Sequence, residues 1–362
     1  MNAKLMESIA NAVLYEGYML YPYRPSAVKN RQRWNFGIVY PRSYSETQNG
    51  IDAWFLQTEC LIRGSESALI DIKGRFLQAV SRQMAKLTAP IAGFTADSKL
   101  DFEIVGSIEI GNKTLQSWQE AVEREVRIPQ VPLAELLARP VRQMFSFPGD
   151  RDLEPVRDEE GSVAALIVRT REAISGCAEI RAAKCQGGLF KLTVLLSNLT
   201  SVENPNLLHR EEVLLKSFLS AHAILGVTGG EFVSMIDPPA GLQEFASECK
   251  NVGTWPVLVG EDNARDAMLS SPIILYDYPQ IAPESPGDLF DGTEIDEILA
   301  LRILTLSDEE KREIRQTDDR AREVLERTEN MPMEHFLKLH GVLRGMKPAG
   351  DRAEDIGDGD KR

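Results

Sequence analysis

Long uninterrupted apolar runs are missing from this 362-residue chain, and without a stretch of about 18 such residues no membrane-spanning helix is expected. The first residues, Met1 to Leu14, lack the basic run and apolar core of an export signal, so the expected compartment is the cytoplasm. Cysteine is scarce: Cys60, Cys177, Cys185 and Cys249 are scattered along the chain, and in a cytoplasmic setting they are expected to stay reduced. Neither they nor any pair of them has zinc or iron–sulfur spacing. His335 and His340, five apart, would stand about 140° apart around a helix and share no metal face. His209 and His222 have no local partner. No metal and no cofactor is therefore expected. Also missing are a strand-linked glycine fingerprint, a phosphate-loop lysine, a zinc-protease histidine pair and a nucleophile elbow. These absences lean against an enzyme but leave open a dispersed active site of unfamiliar type, since catalytic groups converge in space and not in sequence order.

What is present is an ordinary globular composition, 43% hydrophobic and 27% charged, on a chain long enough for two domains and an appendage. Leu5, Ile9 and Val13 recur every four residues and predict a short amphipathic helix that Gly17 is placed to end. Residues 34–40, 53–63, 67–78 and 102–110 are short runs rich in β-branched and aromatic residues, separated by Asn, Gly, Ser and Asp, and predict strands. Residues 114–126 stay undecided: Leu115, Trp118, Val122 and Val126 keep helical spacing among sheet-like neighbours. Proline and charge crowd 128–160, and a boundary is expected near residue 155. Residues 163–169, 178–183 and 189–196 alternate like successive strands of an immunoglobulin-like sandwich. Two apolar runs around Thr228-Gly-Gly230 predict a hairpin. Thr293-x-x-Asp296 and Ser307-x-x-Glu310 have the form of helix-starting capping boxes, and a third helix is expected over 334–343. The fold class expected is α+β, mainly β. Its layout would be a helix, an aromatic-basic segment and a β-rich domain (1–155), a sandwich-like domain (156–283), an acidic helical appendage (284–346) and a mobile tail (347–362).

The net charge of −14 argues against a general nucleic-acid surface, which needs a positive field. Its distribution is uneven. Residues 1–43 carry six basic groups against two acidic, and residues 284–330 carry fifteen acidic against seven basic. Within the basic end, Tyr18, Tyr21, Tyr23, Arg24, Lys29, Arg31, Arg33 and Trp34 crowd together. Such aromatics can be core with a solvated basic rim, or a dock for the acidic end. Tyr, Trp and Arg also dominate the energetic centres of protein interfaces, and stacking on bases with phosphate binding is a weaker third possibility. Asp288, Asp291, Glu294, Asp296 and Glu297 lack calcium-loop spacing, and carboxylates at a helix start answer the helix dipole, so a structural or partner-binding role is expected there.

Three stretches carry a family likeness: Val13-Leu-Tyr-Glu-Gly-Tyr-Met-Leu-Tyr-Pro-Tyr-Arg24, Lys29-Asn-Arg-Gln-Arg-Trp34, and Ser271-Pro-Ile-Ile-Leu-Tyr276 running on to Pro283-Glu-Ser-Pro-Gly-Asp-Leu-Phe-Asp291. In these the chain resembles a family of uncharacterised accessory proteins encoded beside bacterial nickel–iron uptake hydrogenases. The resemblance implies a pathway but no catalytic residues. The function expected is a non-catalytic accessory or assembly protein whose partner is a hydrogenase subunit or maturation factor, bound through the basic-aromatic and acidic segments. The alternatives are the enzyme of unfamiliar type and a nucleic-acid module using the basic segment.

Overall fold

The computed structural model describes residues 3–15, 36–94, 100–111, 113–280, 306–315 and positions 322, 325, 326, 329 and 330. In chain order these form α1 (Ala3–Tyr15), α2 (Arg42–Thr47), β1 (Phe55–Ile91), β2 (Phe102–Val105), β3 (Ser107–Ile110), β4 (Lys113–Gln116), β5 (Trp118–Pro132), α3 (Leu133–Ala138), β6 (Val141–Phe147), β7 (Asp150–Arg157), β8 (Val163–Arg171), β9 (Ile174–Lys184) and β10 (Leu189–Asn198). After a 3-10 turn at Pro205–Leu207 come α4 (Arg210–Leu214), β11 (Leu219–Phe232), α5 (Gln243–Ser247), β12 (Trp255–Leu258), β13 (Ala267–Ser271) and α6 (Asp308–Arg315). The architecture is α+β and mainly β, as the sequence predicts. Among the described residues no helix is long and apolar enough to cross a membrane.

β1 organises everything else. A strand of 37 residues would run about 120 Å if straight, so it must bend to stay within one protein. Along one edge it pairs antiparallel with β10 (Phe55↔Ser197 to Arg63↔Leu189), then β5 (Leu69↔Pro132 to Arg82↔Trp118), then β2 (Met84↔Val105 to Leu87↔Phe102). Along the other it pairs with β11 (Ile62↔Phe232 to Leu77↔Leu219) and β8 (Ser81↔Thr170 to Ile91↔Val163). β9 and β6 extend the β10 side, β13 and β12 the β11 side, and β7 the β8 side, giving an eleven-stranded sheet with the β3–β4 hairpin apart. Just before β12, Val252 exchanges two backbone hydrogen bonds of 2.9 and 3.1 Å with Gln57. That arm therefore closes back on the strand it started from.

The sharpest bend sits at glycines. Between the pairs Gly64↔Gly230 and Leu69↔Thr228, four residues of β1 face Gly229 alone. Gly229 takes φ +78°, which a side chain resists, and a Cβ on Gly64 would lie 3.1 Å from the Gly230 Cα. Here the sequence expectations are corrected twice. The segments 53–63 and 67–78 are one strand, because Gly64-Ser-Glu-Ser67 forms a bulge and not a turn. The hairpin expected at Thr228–Gly230 is the same bulge seen from β11, which continues to Phe232. The undecided residues 114–126 are β4 and the first part of β5, since pairing with Arg75–Arg82 of β1 outweighs their helical spacing. Of 34–40, the described part makes a single bridge, Val39↔Phe218, before α2.

The proline-rich stretch 128–160 is not bare linker. It holds the end of β5, α3, β6 and β7, with each proline where its missing N–H does no harm. Pro129 lies in the bulge between Val131 and Ile128, Pro140 and Pro148 lie between elements, and Pro155 is on β7, which pairs only with β8. The boundary expected near residue 155 thus falls inside β7, and the sheet takes strands from both sides of it. The amphipathic helix is present as α1. The Ser307 box is formed as well: Glu310 N–H donates to Ser307 Oγ at 3.3 Å and Ser307 N–H to Glu310 Oε2 at 2.9 Å. Gly17, the Thr293 box and residues 334–362 lie outside the described residues.

Leu56, Ile62, Ile70, Ile72 and Phe76 alternate onto the inner face of β1 and join residues of β5, β9, β10 and β11 in the main core. At its centre Phe76 stacks on Phe218 with ring centroids 4.3 Å apart, and Phe145 and Phe147 of β6 close in on the same rings. Each fully buried aromatic of this kind contributes about 1.5–3 kcal/mol. A second, smaller core lies under α1, where Met6, Ile9, Ala10 and Val13 cover Ile224, Val257, Val259, Ala267 and Leu269.

Candidate functional site

All thirteen residues singled out by sequence, Tyr18, Tyr21, Tyr23, Arg24, Lys29, Arg31, Arg33, Trp34, Asp288, Asp291, Glu294, Asp296 and Glu297, lie outside the described residues. What the structure fixes are the two flanks of the basic-aromatic stretch, α1 before it and Phe36 onward after it. On the near side, α1 is fastened by its apolar face and by Glu7, which pairs with Lys73 and, at 3.4 Å, with Arg75. Ser220 Oγ donates to Val13 O at 2.8 Å. On the far side Ser220 N–H donates to Phe36 O at 3.2 Å, Ala221 N–H to Gly37 O at 2.8 Å, and Val39 bridges Phe218. Both flanks therefore meet at one residue of β11. Ser220 itself takes φ +51°, an uncommon conformation for a residue with a side chain. Gly37 must be glycine: its φ is +55°, and a Cβ would lie 2.8 Å from Pro272 Cβ and 2.9 Å from Ala221 N.

Ser220 has a third partner. Its carbonyl accepts the Nδ1 proton of His222, which is fully buried, while His222 Nε2 has no hydrogen-bond partner among the described residues. Burial, and then the positive charge of Arg75, push the imidazole pKa down to about 4, so the ring is neutral at pH 7. Across the sheet from it, Arg75 bonds Glu123 at 3.0 Å and Lys73 approaches Glu125 at 3.7 Å. Further along, Arg82 and Arg169 share Glu120 at 3.2 and 2.8 Å, and Arg169 also reaches Glu154. Charges neutralised in this way hold strands together and are poorly disposed to move protons.

Of the four cysteines, Cys60 and Cys177 are buried and Cys185 and Cys249 half-buried. Cys60 is fully buried, and burial drives its pKa far upward. Burial and the Glu59 carboxylate push the Cys249 thiol up to about 11. At neutral pH both are thiols and not thiolates, and so weak nucleophiles. Glu59, though buried, is well served: it accepts Lys250 N–H at 2.9 Å and the Thr193 hydroxyl at 3.1 Å, with Lys191 at 3.6 Å. Its work is to pin the segment that bridges Gln57. Among the described residues no three His, Cys, Asp or Glu side chains are grouped to hold a metal. Two open clefts lie among the described residues. One of about 680 Å³ carries Glu172, Glu203, Glu212 and Lys216 over Leu207 and Leu215. The other, about 520 Å³, lies between Met6 and the Gly260–Asp266 turn. The first presents carboxylates with one lysine, already 3.6 Å from Glu172, and no thiol or imidazole lines it.

Comparison with models of known protein families finds no match, and no curated protein matches the chain. The class that can be stated is therefore structural: a mainly β, α+β protein built on one bent strand. Sequence reasoning missed Ser220 and His222 as a junction. Their only signal was a spacing of two in an apolar run, which puts both side chains on one face of a strand.

Proposed function

We propose that this protein is a non-catalytic accessory or assembly factor that holds another protein through the basic-aromatic segment 16–35, in the cytoplasm. The observation that carries the proposal is the convergence of both flanks of that segment on Ser220. A fold that spends a buried serine, a left-handed backbone and a fully buried histidine on fixing the two ends of one stretch favours display of that stretch. Its Tyr, Trp and Arg content suits an interface hot spot. The likeness to hydrogenase-associated accessory proteins makes a hydrogenase subunit or maturation factor the first partner to seek, with the acidic Asp288 to Glu297 region as a second contact. A tagged chain carrying Tyr21→Ala, Arg24→Ala and Trp34→Ala should lose partners captured by the unaltered chain from hydrogen-oxidising cells, while its melting temperature stays the same. Capture that survives these changes would sink the assigned surface.

The finer architecture belongs to the same proposal: two β-rich domains, the second immunoglobulin-like. A fragment of residues 156–283 that unfolds cooperatively by itself would support it. A fragment that fails to fold without β1 would show that both halves depend on that strand.

A further inference from the structure

The helix α1 lies over the outer face of β11, β13 and β12, and beneath it is a group that elementary electrostatics marks as unstable to acid. His222 stands on β11 opposite Arg75 of β1, on the same face as Ser220 and Ile224, both of which touch α1. Its Nδ1–H is committed to Ser220 O, so a second proton can enter only at Nε2, which is buried and has no hydrogen-bond partner among the described residues. The charged groups around it can be named element by element among the described side chains. From α1 comes Glu7; from β1, Lys73 and Arg75; from β5, behind them, Glu123, Glu125 and Arg127; β13 brings no charged side chain. Arg75 is already balanced by Glu7 and Glu123, and Lys73 by Glu7 and Glu125. An imidazolium would be a further cation in a dry site whose one near carboxylate, Glu7, already serves two cations.

We propose that His222 makes α1 an acid-released latch: protonation at Nε2 expels the helix from the β11–β13 face while the main core stays folded. The helix is the element able to give way. Among the described residues its hold includes five apolar side chains, Met6, Ile9, Ala10, Val13 and Leu14, the Glu7 pairs and one bond to Ser220, whereas β1 and β11 are tied to each other by a ladder of backbone pairs from Ile62↔Phe232 to Leu77↔Leu219. Water reaching Nε2 through the gap left by α1 solvates the new charge, and the apolar strip of Ile224, Val257, Val259 and Leu269 becomes exposed.

The linkage has a definite sign. With α1 docked the imidazole pKa is about 4; with α1 released it returns towards 6.5. Release is therefore unaffected above pH 6.5, grows as pH falls towards 4, and levels off below that, by up to roughly 300-fold over the interval. Glu7 works in the same direction only at still lower pH, because its pKa is held below its ordinary value: burial raises it, and Lys73 and Arg75 together lower it by more.

Hydrogen exchange of the full chain, followed by mass spectrometry between pH 7 and 4 and corrected for the intrinsic pH dependence of amide exchange, reads the opening of α1 directly. The expected result is a rise of two orders of magnitude or more for residues 3–15, with β1 and inner β11 amides unchanged. In His222→Gln the rise should vanish. In Glu7→Gln the helix should open more at pH 7 but the rise should still begin near pH 6.5, where the released imidazole titrates. Protection of α1 that does not change with pH, that falls together with the β1 core, or that falls equally in His222→Gln would overturn the proposal. If His222→Gln does not fold, imidazole NMR of the unaltered chain decides: a ring that titrates near 6.5 while α1 stays protected is fatal to the idea.

Discussion

Gly176, near the start of β9, is where packing predicts the largest effect from the smallest change. A methyl group added by Gly176→Ala would lie 2.5 Å from Phe145 Cζ, 2.6 Å from Ser197 O and 2.9 Å from Phe218 Cζ. The Ser197 oxygen sits in the ladder that pairs Ser197 with Cys177 and Asn198 with Gly176, so it cannot retreat without disturbing β9 and β10. Phe218 is stacked on Phe76 and cannot swing away either. Overpacking of a core costs about 1–3 kcal/mol, and a backbone atom among the obstacles puts this case at about 3. Alanine stiffens the unfolded chain and offsets roughly 0.4–1 kcal/mol, leaving a net loss of about 2 kcal/mol. In urea, with a slope of about 3 kcal/mol/M, the unfolding midpoint should fall by about 0.7 M without a change of slope. Adding Phe145→Leu removes the ring carbon nearest the methyl. The double variant should therefore be less destabilised than the sum of the singles, by about 1 kcal/mol. A midpoint unchanged or raised in Gly176→Ala would refute the packing argument, and strict additivity would assign the clash to the Ser197 carbonyl instead.

Glu59→Ala strands the Lys250 N–H and the Thr193 hydroxyl, so it should cost about 2–3 kcal/mol and raise amide exchange over residues 249–252. Unchanged exchange there would mean that Glu59 does not pin the segment. Ser307→Ala removes the cap of α6 and should cost about 1 kcal/mol, seen as roughly five-fold faster exchange in Asp308–Arg315. In the native protein at neutral pH, iodoacetamide should label the partly exposed Cys185 first, beside Lys191, and Cys249 more slowly. Cys60 should label only on unfolding, and native labelling of it as fast as Cys185 would contradict its burial.

Local signals in the chain were reliable wherever the element is settled by its own residues. The spacing of Leu5, Ile9 and Val13 sufficed for α1, and Ser307 with Glu310 for the start of α6, because a helix and its cap are closed within a few residues. The alternation in β9 and β10 was equally plain, since each buries one face more deeply than the other. The candidate site was less legible. Aromatic and basic residue types marked the Tyr15 to Arg42 region, but nothing local could show that Val13 and Phe36 meet at Ser220, more than 180 residues away in sequence.

By itself, then, the sequence determined composition class, the dominance of β-structure, the helix Ala3–Tyr15 and the start of Asp308–Arg315, all of which follow from residue type and short-range periodicity. Only the tertiary structure decided that Gly64 and Gly229-Gly230 bend strands where they were expected to end them, because a glycine permits either outcome and the partner strand selects one. It also decided that His222 is neutral and buried beside Arg75. Burial and charge are properties of the groups brought together across β1 and β11, and no window of sequence contains both.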